Sequence, residues 1–466
     1  MKNVFFNICI LVIQNVIVNL ISIFSVGYVA NKLGNHEFGI FSLGFSYVTI
    51  YTAVGSLGLR QYAIREISKD RINTNTIVSK LLPARVTLIV LMSIVVYLSS
   101  ILFGYSGYVV YIITLCLVNE IFDQFSRMFS DAFIASEKML WISIRDICVK
   151  IIVSIMSVVF VYYGLGVGHV VFSYIFGSIV GLFINYLFYA KKFGHIEFVF
   201  DFRYIISSVK EGVGFAAIGI ASIVMTKIDV IMISKLSDFI SVSIYSAAVS
   251  LFYKTNIVSD SICTSFYPYF SNKTKKDMRG SYRAFSSIVI LSIFISVPVC
   301  MFIFYNSGVI VELVYGSKYS GAADLLSKMS LLLPVLFLTR VCSYSLGAMG
   351  LQAIVAKVTI VGCILNVILN VVFIYKIGFV GALYATIVTQ IIVFVLVSKK
   401  FIAQLVCPFV VKKTVFIIAF NFIVFNLIDS LYTVSFDELY LSIFSIVSIL
   451  VYGFIGYKIF VRANYV

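Results

Sequence analysis

The chain has 466 residues, of which 61% are hydrophobic and only 12% charged, against roughly 45–50% and about 25% in an ordinary soluble domain. Mean hydropathy is +1.07, so the sequence cannot clothe a soluble globule of this size and reads as an integral membrane protein. The net charge of +15 would point to nucleic acid in a soluble protein; in a membrane protein it reflects lysines and arginines held on the cytoplasmic side.

A spanning helix needs about 20 apolar residues. About fourteen stretches qualify: 5–29, 39–59, 82–103, 108–129, 142–163, 168–190, 212–234, 241–268, 284–306, 323–350, 354–375, 380–398, 414–431 and 440–460. The first is too long for the apolar core of a signal peptide and reads as a spanning helix. The runs are continuous, unlike the alternating strands of a membrane barrel. Connections are short, the longest running from Arg60 to Leu81, so no loop can fold as a separate domain. The expected fold is all-α and polytopic.

Charge sets the orientation. Arg60, Arg65, Lys69, Arg71 and Lys80 fall on one side, as do Lys191, Lys192, Arg203 and Lys210. Lys273, Lys275, Lys276, Arg279 and Arg283 join them, followed by Lys399, Lys400, Lys412, Lys413, Lys458 and Arg462. The other side offers Lys32, Lys235, Lys318 and Lys376 with Asp437 and Glu438. The asymmetry predicts both termini in the cytoplasm.

A weak internal repeat accompanies this pattern. Lys32-Leu33 with Gly39-Ile40-Phe41-Ser42 is echoed by Lys235-Leu236 with Ser243-Ile244-Tyr245-Ser246. Ala135-Ser136-Glu137 is echoed by Ala348-Met349-Gly350, and Tyr162 with Gly168 by Tyr375 with Gly381. The same chain order predicts two pseudo-symmetric six-helix bundles, 1–210 and 211–400, followed by two added helices in 401–466. Such a duplicated bundle implies a substrate path near the membrane midplane.

The chain has no GxxxxGK[ST], HExxH or GxSxG motif, and no loop large enough to hold a sugar-transferring site, which argues against an enzyme. The eight cysteines, including Cys116, Cys263 and Cys342, lie in apolar runs without metal or disulfide spacing, and His36, His169 and His195 are scattered. No metal site and no cofactor are expected.

Ionisable residues inside spanning helices cost roughly 2.5–3.5 kcal/mol each on insertion scales, so they tend to face a cavity or a partner. Lys254 and Arg340 lie deep, as substrate contacts or as structural partners of Asp229, Asp260 or Glu120. Arg127, Arg145, Lys150 and Lys357 lie nearer helix ends, where snorkelling competes with a substrate role. Asp123 and Arg127 are four apart and can pair, and Arg85 and Lys227 complete the set. The substrate-binding candidates are Lys254, Arg340, Lys227, Arg127 and Lys150, a cationic set suited to phosphate. Asp229, Glu120 and Asp123 are candidates for a coupling proton or cation. Gln14, Asn15 and Asn19, like Asn366 and Asn370, have the spacing of interhelical hydrogen-bonding groups. Pro298, Pro334, Gly212 and Gly214 are candidate bends.

Four segments carry a family likeness: Leu33-Gly34 through Gly55-Ser56-Leu57-Gly58-Leu59-Arg60 to Arg65-Glu66; Phe133-Ile134-Ala135-Ser136-Glu137-Lys138-Met139; Thr226-Lys227-Ile228-Asp229-Val230-Ile231-Met232 with Ile244-Tyr245-Ser246-Ala247-Ala248; and Gly347-Ala348-Met349-Gly350-Leu351-Gln352 with Asn366, Asn370 and Gly378. In that order they resemble the polysaccharide-transport (O-antigen flippase, Wzx-type) branch of the MOP exporter superfamily, which also contains MATE exporters and lipid II flippases. The resemblance implies two bundles around a cationic lumen and alternating access. It also implies translocation of an undecaprenyl-pyrophosphate-linked oligosaccharide across a bacterial inner membrane. The coupling ion would be a proton or sodium, and a polysaccharide polymerase and chain-length regulator would be further partners. Lys227/Asp229 match the family's acidic position, and Asn366/Asn370 its polar pattern. Where the family often has a proline, this chain reads Gly212-Val213-Gly214-Phe215. A MATE-like cation-coupled drug exporter and a membrane-embedded polymerase or ligase are the alternatives; no nucleic-acid partner is expected.

Overall fold

The computed structural model describes residues 2–274 and 278–402. The predicted helices 414–431 and 440–460, and the segment 401–466 as an added pair, lie outside the described residues apart from the end of one helix.

The described chain forms fifteen α-helices. They are α1 (Lys2–Leu33), α2 (Asn35–Gly55), α3 (Leu59–Lys69), α4 (Thr74–Leu102), α5 (Gly107–Ala135), α6 (Met139–Tyr162), α7 (Val167–Phe193) and α8 (Phe202–Leu236). There follow α9 (Phe239–Lys254), α10 (Asn256–Thr274), α11 (Met278–Tyr315), α12 (Gly321–Ser330), α13 (Leu333–Ala348), α14 (Gln352–Ile377) and α15 (Val380–Ile402). Among the described residues nine helices are long and apolar enough to cross a membrane, ten if the bent pair α12/α13 is one span. The 24-residue α6 has the length but carries Arg145, Asp146 and Lys150. The outer face of α4 shows why these helices need lipid: Val90, Leu91, Ile94, Val95 and Leu98 are all exposed. The protein is an all-α, multi-pass membrane protein.

Five local expectations change. The connection after Arg60 is not loop throughout. Leu59, Tyr62, Ala63 and Ile67 recur at helical spacing and are buried, and they fold this polar stretch into α3. The stretch 241–268 is broken at Thr255 between α9 and α10. The stretch 323–350 bends by 46° between α12 and α13. Pro334 stands in the first turn of α13 rather than deep in a helix, where its missing N–H costs nothing. Finally, α8 runs unbroken through Gly212 and Gly214. Gly212 is there for contact: a Cβ on it would lie 2.5 Å from the Leu57 carbonyl oxygen. Gly58, with φ +70°, could not bear a side chain either, because its Cβ would meet the Gly212 carbonyl at 2.0 Å.

The described residues divide into two compact units, the first comprising 2–246, 314–318 and 367–382 and the second 247–274, 278–313, 319–366 and 383–402. In the first unit, α5 packs on α7, α1 on α6, α6 on α7, and α2 on both α5 and α8. Lipid exerts no hydrophobic force between helices, so small and polar residues hold such seams. Ser154 donates to Ser25 at 3.0 Å, Ser157 pairs with Ser173, and buried Asn185 donates to the Ser126 carbonyl and the Ser130 hydroxyl. At one end α3 seats Tyr62, Ala63 and Ile67 against Val78, Leu81, Met128, Phe129 and Phe133. In the second unit α10 packs on α13, and Phe285 and Phe401 rings lie 4.2 Å apart.

Candidate functional site

The intramembrane charges of the first unit fall into four groups. On α5, Arg127 donates to Asp123 at 2.7 Å, the pairing that the four-residue spacing predicts. Arg145 of α6 donates to the other Asp123 oxygen at 2.7 Å and to Asp146 at 2.9 Å. Gln14 of α1 then donates to Asp146 at 3.2 Å. Asp123 therefore serves two guanidiniums, and the chain of contacts ties α1, α5 and α6 together.

The second group was not legible as a site in the sequence. Asp131, wholly buried on α5, accepts from Arg60 of α3 at 3.1 Å and from Arg85 of α4 at 2.7 Å. Asp123, Arg127 and Asp131 recur every four residues, so one face of α5 carries alternating charge. That periodicity was the available signal.

The third group surrounds Glu120, one turn further along the same face. Gln124 donates to its carboxylate at 2.9 Å, and Thr52 of α2 lines the same cavity. Glu120 opens onto a cavity of about 50 Å³ whose wall includes Thr52, Ser56, Arg60, Arg85 and Ser93.

The fourth group joins distant parts of the chain. Asp229 of α8 accepts from the Tyr245 hydroxyl of α9 and, at 2.7 Å, from the Asn370 amide of α14. All three residues are buried.

The cationic candidates differ in their surroundings. Lys150 lies 6.0 Å from the Tyr174 ring centre, and Lys227 is half-buried on α8; among the described residues neither has a carboxylate within ion-pair distance. In the second unit Arg340 of α13 is ion-paired with Asp260 of α10, one of the structural partners foreseen for it. Lys254 is the last residue of α9, at the break before α10. The structure thus brings Arg127 to Asp123 and Arg340 to Asp260. It leaves Lys150 and Lys227 as cations in apolar surroundings. Among the described residues no cluster of His, Cys, Asp and Glu could hold a metal ion.

Outside the membrane, Glu66 of α3 accepts from Lys69 at 2.9 Å and from Arg65 at 2.9 Å. These cations, Lys69 foremost, hold its carboxyl below the usual value. Arg65 also pairs with Glu211 on the first turns of α8.

The fold is that of an all-α, multi-pass membrane protein with charged side chains buried between its helices. Over 97% of this chain and 99% of the other, the structure superposes on the lipid II flippase MurJ in an inward closed conformation, with TM-score 0.80 at 16% identity. An inward-facing multidrug resistance MATE transporter matches with TM-score 0.69 and 14% identity, covering 85% of this chain and 100% of that one. In sequence, a Shigella flexneri protein named as an O-antigen transporter is 23% identical over 317 residues, 64% of this chain and 74% of that protein. The family described as polysaccharide biosynthesis protein matches residues 4–274, and the MatE family matches 215–372. The chain belongs to the polysaccharide biosynthesis protein family.

Proposed function

We propose that the protein is a flippase that moves an undecaprenyl-pyrophosphate-linked oligosaccharide from the cytoplasmic to the outer leaflet of a bacterial inner membrane. The observation that carries this reading is the pair of half-buried lysines, Lys150 and Lys227, in apolar surroundings with no carboxylate at ion-pair distance among the described residues. A desolvated ammonium is costly, and a substrate diphosphate offsets that cost while shedding its own water. Lys254, at a helix break, and the ion pairs Arg127–Asp123 and Arg340–Asp260 supply further positive groups that exchange a protein carboxylate for a phosphate. The S. flexneri relative's name and the flippase fold support a lipid-linked oligosaccharide as cargo.

Transport is driven by an ion gradient, since one charge crossing 100 mV releases about 2.3 kcal/mol. Asp229, which accepts from the Tyr245 hydroxyl and the Asn370 amide, is the coupling carboxylate in this reading. Asp123, bridging two arginines, is a structural counter-ion. The basic loops support an orientation with both termini in the cytoplasm. Residues 1–210 and 211–400 are the duplicated halves, with 401–466 as the addition.

The test is complementation of a deletion strain. Lys150→Ala and Lys227→Ala should each lower surface polysaccharide while the membrane protein level stays normal, and the pair should abolish it. Full complementation by the double variant would reject the assignment. The MatE match over 215–372 favours one second reading, a cation-coupled small-molecule exporter. In that case the deletion strain gains drug sensitivity and keeps its long-chain polysaccharide.

A further inference from the structure

The first unit contains a charge imbalance around one acid. Among the described residues Arg60 and Arg85 share one carboxylate partner, Asp131, and both also line the cavity that Glu120 enters. With Glu120 ionised, two cations face two anions and the cavity is neutral. With Glu120 protonated, one positive charge is left over. Half-exposed Arg60 carries that excess to the surface of the unit.

Glu120 is built to accept a proton. Its carboxylate accepts from Gln124, a neutral amide. Thr52 can serve either form: its hydroxyl donates to the Val48 carbonyl at 3.1 Å and lines the same cavity as Glu120. It therefore accepts from a protonated Glu120 while donating to its own helix, or donates to an ionised one. Ser56 and Ser93 likewise donate to their own helices, at 2.9 and 2.7 Å, and turn lone pairs toward the cavity. The volume, about 50 Å³, exceeds the roughly 30 Å³ share of one liquid water, so a proton carrier fits.

The other charges are accounted for element by element. On α5 itself, Asp123 and Arg127 act on Glu120 and are paired with each other. From α2 come only hydroxyls, from α3 Arg60 and from α4 Arg85. α6 carries Arg145, committed to Asp123 and Asp146, and Lys150. α7 has His169 near its start and Lys191 and Lys192 in its last turn.

We propose that Glu120 binds and releases a proton inside the cavity it shares with Arg60 and Arg85, and that its protonated form leaves those guanidiniums one uncompensated positive charge with which to attract an anionic substrate. The proton comes from hydronium in the aqueous phase that reaches the cavity: its O–H bond breaks to leave water as the carboxylic O–H bond forms, and no other bond changes. Proton entry then makes the unit competent for a diphosphate, and proton loss favours its release. The proton site stands on the cavity alone, whereas its consequence for substrate rests on the flippase reading.

Two measurements test it on the full-length protein in lipid nanodiscs. Infrared difference spectra across pH should show a protonated-carboxyl stretch that titrates in the wild type and is missing in Glu120→Gln, a variant that keeps a carbonyl for Gln124 to donate to. If the titrating band persists in Glu120→Gln, the proton site is wrong. Binding of undecaprenyl pyrophosphate should weaken about tenfold in the wild type as pH rises through that titration, the scale of one charge at moderate effective dielectric. Glu120→Gln should bind tightly at every pH, and Glu120→Asp should keep the pH dependence. An unchanged pH dependence in Glu120→Gln overturns the charge switch. A titrating Glu120 in a protein that binds the probe at no pH leaves the proton site standing and removes the flippase reading.

Discussion

Arg85 donates to buried Asp131 at 2.7 Å while Arg60 holds the other carboxylate oxygen, so one carboxylate ties α3, α4 and α5 together. The two arginines are not equivalent. The Arg85 side chain is 12% exposed and that of Arg60 47%. Removing Asp131 strands both. Asp131→Ala should destabilise the protein by about 3–5 kcal/mol, the cost of an orphaned buried charge. Arg60→Ala should cost under about 1 kcal/mol. Thermal unfolding in detergent gives the order, and Asp131→Ala combined with Arg85→Met should recover part of the loss.

Asp229 separates structure from transport. An asparagine there still offers an oxygen to Asn370 and an amide to the Tyr245 hydroxyl, so Asp229→Asn should fold and reach the membrane in normal amount. It should nevertheless lose surface polysaccharide to the level of the deletion strain. A fully active Asp229→Asn would remove the coupling role.

The Gly58–Gly212 contact leaves no room for a methyl group. Gly212→Ala pushes a Cβ to 2.5 Å from the Leu57 carbonyl oxygen and should cost roughly 1–3 kcal/mol as overpacking. Gly219, whose added Cβ would meet nothing within 4 Å, is the control: Gly219→Ala should be neutral or slightly stabilising, because it also improves helix propensity. Comparing the two unfolding midpoints checks the contact.

Acid should loosen α3. Lys69, then Arg65, lowers the Glu66 pKa in the folded protein. Its contribution is therefore fully present above the ordinary carboxylate value of about 4.3 and is lost as pH falls through the lower folded-state value. Hydrogen exchange of the α3 amides should accelerate over that acidic range in the wild type. In Glu66→Gln the pH dependence from this group should vanish; an identical acid limb in both proteins would assign it elsewhere.

What could be read in advance followed from local rules. Apolar runs of spanning length gave most of the membrane helices, and the Asp123–Arg127 pair follows from helical spacing. Three features escaped because their causes are not local. α3 is polar on average, and only its docking surface makes it a helix. The break at Thr255 falls inside an apolar stretch where hydropathy has no contrast. Asp131 lies 46 positions from Arg85 and 71 from Arg60, and Asp229 lies 141 from Asn370. Such pairings are made by packing. Arg340 stood between a substrate and a structural role in the sequence, and its ion pair with Asp260 depends on where α10 and α13 meet.

The length of α8 has a practical consequence. Its 35 residues extend about 50 Å, whereas the hydrocarbon layer is about 30 Å thick and its apolar stretch is Ala216–Leu236. The opening turns therefore stand in buffer like a mast above a deck, with Arg65 lashed to Glu211. Molar salt shortens electrostatic reach to about 3 Å. Raising ionic strength on a single side of a sealed vesicle would slacken that lashing while the charges deep in the oil feel nothing, which gives an experimenter a one-sided handle on this transporter.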